Sequence, residues 1–265
     1  MIQTNMTAAP SIRTTELAGI DVSALNFPDT VALLGDWMTG PQPRRVATAN
    51  VDFLRLAASN PELLRALQTC DLVTADGQPL VWLSRILRAP LPERVAGSDL
   101  AWPLLEEAAS RGASVYFLGG GYGVAQKAAN AAIGRLPNLR IADTAAPFID
   151  WNSEAQAAAV ADDIRATGAS LLLVGLGCPK QELFLERHLE RTGASLGVGV
   201  GATLDFLAGN SRRAPSWMQD SGLEWMHRLA QEPSRLASRY LADATFLAQL
   251  ATTALRERTH TAASR

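Results

Sequence analysis

The chain has 265 residues, 48% of them hydrophobic and 19% charged, with a formal net charge of −2. That is enough apolar material for one large α/β domain or a domain with an appendage, and the near-neutral balance gives no electrostatic case for a nucleic-acid partner. Two cysteines (Cys70, Cys178) and three histidines (His188, His227, His260) are scattered without metal-ligand spacing; this argues against a zinc site, excludes a disulfide framework and suits a reducing cytoplasm.

The opening "MIQTNMTAAPSIRTTEL" has no apolar core of the kind a signal peptide carries. No apolar run approaches the roughly 18 residues of a membrane span. Residues 1–15 are polar and aperiodic, and a disordered tail is expected there. From 16 onward, short apolar runs alternate with helical stretches. "RRVATAN" (44–50) reads as a strand ending in a polar turn. Residues 51–70 carry apolar side chains at helical spacing, broken and restarted at Asn60-Pro61. "DLVTADG" (71–77) is a strand with its turn, 78–87 is helical, and 99–112 is a helix stopped by Gly112.

Residues 113–137 and 169–193 share one plan: a β-rich run, a glycine turn, then a helix. A strand (139–148) and a helix (154–168) lie between them, and a last strand with its turn occupies 194–209. Short all-apolar strands alternating with amphipathic helices predict an α/β fold over 16–205. This is a Rossmann-like, mostly parallel sheet with helices on both faces. Residues 206–265 show no strand signal. They hold eight arginines against five acids, interleaved with Trp217, Trp225 and Tyr240. A C-terminal helical appendage is expected, its basic aromatic face either packed on the core or laid on a membrane surface.

In an open parallel sheet, ligands bind at the carboxyl ends of the strands, so the turns after strands hold the candidates. Thr48 and Asn50 offer a hydroxyl and an amide, or an N-cap. Asp76 is a turn-forming acid or a base aimed into the crevice. Arg94, in the loop "PLPERVAGSD", suits bidentate phosphate binding or a surface ion pair, with Arg88 as competitor. Gly119 and Gly120 in "FLGGGYG" let backbone amides approach phosphate oxygens. That cluster has G-x-G-x-G spacing but not G-x-G-x-x-G, and only Asp143 stands near the place of a ribose-binding acid, so a dinucleotide fingerprint is incomplete. Lys180 and Gln181 in "GLGCPKQE" can reach a phosphate, base or sugar. Asp205 can accept from a base or ribose, or serve a helix N-terminus.

Singly these turns are ambiguous; their order and spacing are not. "TANVDF", "DLVTADGQPLVW", "PLPERVAGSDL", "YFLGGGYGVAQKAA", "LLLVGLGCPKQELF", "GVGVGATLDFLAG", "RRAPSWM" and "GLEWMHRLAQEPSRLASRYL" closely resemble the WecG/TagA/CpsF family, glycosyltransferase family 26, from about residue 20 to 247. The resemblance implies an inverting transferase without a cofactor. It would move a hexose or hexosamine derivative (N-acetylmannosamine, its uronic acid or glucose) from a UDP-sugar to an undecaprenyl-diphosphate-linked sugar, in teichoic acid or cell-surface polysaccharide synthesis. It places the general base on Asp76, sugar-facing groups on Thr48 and Asn50, and a diphosphate-neutralising group on Arg94. It places nucleotide contacts on Gln181 and Asp205, and the basic residues of a membrane-meeting appendage on Arg228, Arg235 and Arg239. The family has a proline in each of the first two turn motifs, where this chain has Ala49 (in "TAN") and Ala75 (in "ADG"), which puts loop rigidity in question but no reacting group. With no Asp-x-Asp at a strand end, metal-independent activity is expected, helix N-terminal amides and Arg94 stabilising the leaving diphosphate. The implied place is the inner face of the plasma membrane, peripherally bound; a homo-oligomer is left open. Two rivals stand beside this reading: a non-catalytic UDP-sugar-binding subunit of an assembly complex, and an NAD-dependent oxidoreductase suggested by the glycine turns.

Overall fold

A computed structural model describes residues 12–211, 213–215, 217–218 and 221–263, without the side chains of Arg235 and of residues 254–263. The chain opens on an antiparallel hairpin, β1 (Thr14–Leu17) and β2 (Ile20–Ser23), and then α1 (Phe27–Met38). There follow β3 (Arg44–Ala49), α2 (Val51–Ala57), α3 (Pro61–Gln68), β4 (Leu72–Ala75), α4 (Gln78–Ile86) and α5 (Gly97–Arg111). The second half runs β5 (Ser114–Gly119), α6 (Val124–Arg135), β6 (Arg140–Ala145), α7 (Glu154–Thr167), β7 (Leu171–Gly175), α8 (Lys180–Thr192), β8 (Leu196–Gly199) and α9 (Thr203–Leu207). Two further helices, α10 (Glu224–Gln231) and α11 (Pro233–Ala263), complete the described chain.

Six strands form one sheet in the order β4-β3-β8-β7-β5-β6, every adjacent pair parallel. The expected Rossmann-like α/β architecture is therefore present. Because the sheet is covered on both sides, successive strand residues bury into different cores. Val115 and Phe117 of β5, with Leu171 and Leu173 of β7, face α5, α6 and α9. Tyr116 and Leu118, with Leu172 and Val174, face α7 and α8. This double burial produces all-apolar strands in place of alternation. Phe117 is fully buried, and Phe117→Ala is expected to cost about 3–5 kcal/mol.

The helices stop and start where the sequence signals them. Asn60 caps α3, its side-chain oxygen accepting from the Glu62 and Leu63 amides. Gly112 ends α5 in the left-handed region at φ 67°, which glycine adopts without a Cβ clash. Two features exceed the sequence expectation. The hairpin takes in Thr14 and Thr15, which the sequence reads as tail, while residues 1–11 lie outside the described residues. The helix α5 begins at Gly97, two residues before the expected start. A parallel sheet puts all six strand ends on one edge, and every candidate turn opens there.

The helix α11 packs against the body. Leu236 is buried, and Phe246, Leu247 and Leu250 lie against the core beneath α2 and α4. At the same contact, Arg55 pairs with Asp52 at 2.5 Å and Asp243 at 2.8 Å, and Arg239 lies 3.2 Å from Asp52. Among the described residues no helix is long and apolar enough to cross a membrane.

Candidate functional site

The edge carries two neighbouring sites. At the β4 end, Asp76 follows the strand, and Gly77, at φ 151°, turns the chain into α4. The loop before α5 folds back on this end, the Val95 amide donating to the Ala75 carbonyl at 2.9 Å. That brings Arg94 beside Asp76 and sets the Gly97 N–H 3.3 Å from Asp76 Oδ2. Burial pushes the Asp76 carboxyl up to about 6; the charges of Arg94 and then Arg228 and the Gly97 N–H pull the other way, and Glu224 adds to the rise. The acid is thereby poised close to neutrality, which suits a group that must take up a proton and give it back.

Arg94 does not stand free. It pairs with Asp99 at 2.7 Å and reaches Glu224 at 3.7 Å, while Arg213 pairs with Asp99 at 2.7 Å and reaches Glu224 at 3.8 Å. Glu224 and Arg228 come from α10, so the C-terminal segment sits over the Asp76 end of the sheet. Arg228 also lies over the Phe206 ring, 5.2 Å from its centroid. The sequence alone gives no sign that Asp99, Arg213 and Glu224 join this cluster.

The second site is a cleft of about 380 Å³ beyond the ends of β5, β7 and β8. Its floor is glycine backbone: Gly119, Gly120, Gly175, Gly177 and Gly201, with Lys180, Asp205 and Trp151 on its walls. Gly119 is required for close approach as well as for its φ of +105°, since a Cβ there would meet the Gly175 oxygen at 2.6 Å. Tyr122 and Phe148 are fully exposed, one residue beyond Gly121 and Pro147 of the cleft lining. The expected residues Gly119, Gly120 and Asp205 therefore come together here.

Three further expected residues are engaged within the protein, Asn50 in the capping role that the sequence also allows. Thr48 is 4% exposed, and its hydroxyl donates to the Gly199 carbonyl at 2.9 Å, joining β3 to β8 under the edge. Asn50 caps α2, its Oδ1 accepting from the Phe53 N–H at 3.4 Å. Gln181 is 1% exposed, its oxygen accepting from the Gly177 and Gly201 amides at 3.2 and 3.1 Å. Its nitrogen donates to Glu182 Oε1 at 2.7 Å, so both ends of the amide are engaged within the protein. The appendage arginines also divide. Arg228 faces the Asp76 cluster, Arg239 is paired with Asp52 and Asp243, and the Arg235 side chain lies outside the described residues.

Among the described residues no three His, Cys, Asp or Glu side chains are grouped to hold a metal ion. Exposed Trp82, Trp217, Trp225 and Met226 put large apolar groups on α4 and the C-terminal segment. The sequence profile of the glycosyl transferase WecG/TagA/CpsF family matches residues 15–260. Among curated proteins the chain is similar to the N-acetylglucosaminyldiphosphoundecaprenol N-acetyl-beta-D-mannosaminyltransferase of Bacillus spizizenii strain W23, 32% identical over 190 residues that cover 72% of each chain.

Proposed function

The chain belongs to the WecG/TagA/CpsF glycosyl transferase family, and from that premise we propose that it transfers a hexosamine-type sugar from a UDP-sugar to an undecaprenyl-diphosphate-linked sugar with inversion. The observation that carries the reading is Asp76: a half-buried carboxyl pushed up to about 6 by desolvation against the pull of Arg94 and Arg228, on the same sheet edge as a glycine-floored cleft. The strands that bring them there, β4 and β8, are separated only by β3, or roughly 10 Å at normal strand spacing.

In this reading the cleft takes the nucleotide. The glycine floor brings backbone close to the diphosphate, Lys180 supplies a cation, and Asp205 accepts from the ribose or base. Tyr122 and Phe148 are placed to close over the base. The sugar then points along the edge towards Asp76. The base removes the acceptor hydroxyl proton as that oxygen attacks the anomeric carbon, and the bond to the UDP oxygen breaks. Negative charge grows on the departing diphosphate, and Arg94 and Arg228 are the cations nearest the base to offset it. Asp99 and Glu224 hold Arg94 in place before substrate arrives. Guanidinium groups already fixed beside the base support metal-independent transfer.

The acceptor stays in the bilayer, so the enzyme works peripherally at the cytoplasmic face. Exposed Trp82, Trp217, Trp225 and Met226 support this as the interfacial surface. Residues 206–265 act as the appendage that bridges body and bilayer, and a homo-oligomer would add to that surface. The Bacillus relative's N-acetyl-β-D-mannosaminyl transfer to N-acetylglucosaminyl-diphosphoundecaprenol puts that donor and acceptor pair first. The test is a panel of UDP-sugars with an undecaprenyl-diphosphate-linked monosaccharide. One donor should release UDP and extend the lipid-linked sugar. UDP binding without release from any donor would point to a non-catalytic subunit instead.

A further inference from the structure

The glycine cleft rests on a buried acid that the transfer reaction does not use. Glu182, in the first turn of α8, is 3% exposed, and burial pushes its carboxyl up to about 7. Its Oε1 accepts from Gln181 Nε2 at 2.7 Å, a bond that, with the residue's own backbone amide and the Cys178 thiol, draws the carboxyl partly back down, while Oε2 has no partner within hydrogen-bond geometry. A buried acid with one oxygen unpartnered is costly to keep for packing alone.

The bond to Gln181 decides which way round that amide sits. Two backbone donors, the Gly177 and Gly201 N–H groups, converge on the Gln181 oxygen from two different turns. Turned over, the amide would face those donors with its own NH2 group and leave Glu182 without its donor. Glu182 is the acceptor that fixes the productive orientation. The β7–α8 turn and the β8–α9 turn are thus tied through one side chain, and both turns contribute glycines to the cleft floor.

The neighbouring strand is built to admit the pair. A Cβ on Gly199 would lie 2.8 Å from Gln181 Nε2 and 3.1 Å from Glu182 Oε1. The Gly199 carbonyl also receives the Thr48 hydroxyl, so β3 and the Gln181–Glu182 pair both stand against this one residue of β8. Gln181 thus bears on the cleft through the backbone it holds.

We propose that Glu182 is a positioning residue for the donor nucleotide: by fixing the Gln181 amide, it holds the two glycine turns at the separation a nucleoside diphosphate requires. This rests on the transferase reading of the cleft. The experiment is titration of the full-length chain with UDP, together with donor KM, kcat and melting temperature, for wild type, Glu182→Leu, Glu182→Gln and Gly199→Ala. Glu182→Leu frees the amide to turn; displacing cleft groups by about 1 Å can cost up to about 10²-fold, so UDP affinity should fall at least about tenfold. Donor KM should rise in step while kcat changes little. Glu182→Gln, which can still present an oxygen to Gln181, should restore UDP affinity to near the wild-type value. Gly199→Ala, which crowds the same amide from the other side, should weaken UDP binding even if Glu182→Leu fails to fold. Wild-type UDP affinity in Glu182→Leu or Gly199→Ala overturns the proposal, as does a Glu182→Gln variant no better than Glu182→Leu. A wild-type chain that binds no UDP sinks the transferase reading and this inference with it, whereas a binding wild type beside an unaffected variant sinks the inference alone.

Discussion

The Asp76 carboxylate accepts a hydrogen bond from the Gly97 N–H at 3.3 Å, tying the end of β4 to the first residue of α5. Gly97 has no room for a side chain, because a Cβ there would meet Thr48 Oγ1 at 2.9 Å. The acid is thus held by a backbone donor that itself stands against β3. Its position follows from the sheet.

That placement predicts the pH profile. Asp76 must be ionised to accept a proton, and its carboxyl sits at about 6. The value of kcat/KM should fall about tenfold per unit below roughly pH 6. Arg94 is the largest charge holding that value down, so Arg94→Met should move the acid limb to higher pH as well as slowing transfer. A limb that stays in place in Arg94→Met would assign it to another group, such as Glu182.

The same burial predicts a trade of stability for function. In the unfolded chain Asp76 titrates near 3.8, but in the fold near 6. Folding therefore favours the protonated acid. The penalty for the ionised form is full above about pH 6, shrinks as pH falls through 6, and is gone below about 4. Asp76→Asn carries no charge to bury, so it should raise the melting temperature at pH 8 by a few degrees, from about 1–3 kcal/mol at 1.4 kcal/mol per unit. The gain should disappear by pH 4. A lower melting temperature for the variant at pH 8 would contradict the assigned environment.

Metal dependence is open to a direct check. With Arg94 and Arg228 to stabilise the leaving diphosphate, turnover should survive excess EDTA. Loss of activity in EDTA, restored by magnesium or manganese, would overturn the metal-independent reading.

The appendage should divide by residue. Arg239 lies 3.2 Å from Asp52 and is committed to holding α11 on α2. Arg239→Ala should lower the melting temperature and leave binding to anionic vesicles nearly unchanged, against about 1 kcal/mol for an arginine that meets the lipid surface. Replacing Trp217 and Trp225, 62% and 42% exposed, with alanine should weaken vesicle binding several-fold. The reverse pattern would put Arg239 at the bilayer.

Most of the fold was legible because each strand end carries its own punctuation. Asn60-Pro61, Gly77, Gly112 and the two glycine turns mark boundaries that local backbone chemistry enforces, and all lie close to where the helices and strands change. The hairpin at 14–23 and α1 were not resolved as elements. "TTELAGIDVS" offers only two four-residue strands, each partly polar. The start of α1 did carry a signal, since Asn26 caps it by accepting from the Asp29 amide and Pro28 sits in its first turn. The site was legible in position and less so in side-chain direction. Which turns meet follows from a parallel sheet, so Asp76, Gly119, Gly120 and Asp205 could be placed on one edge. Whether Gln181 points out to a ligand or in to a carboxylate depends on Glu182 and on the space above Gly199, contacts that only the folded chain assembles. Cross-chain charge partners such as Arg213 and Glu224 leave no local pattern at all.

The most direct measurement is single-turnover transfer by Asp76→Asn alongside UDP titration of the same preparation. General-base catalysis contributes about 10²–10⁴-fold, so the rate should fall by at least the lower figure while UDP affinity stays within about twofold of wild type. Near-wild-type transfer by Asp76→Asn would show that Asp76 is not the base.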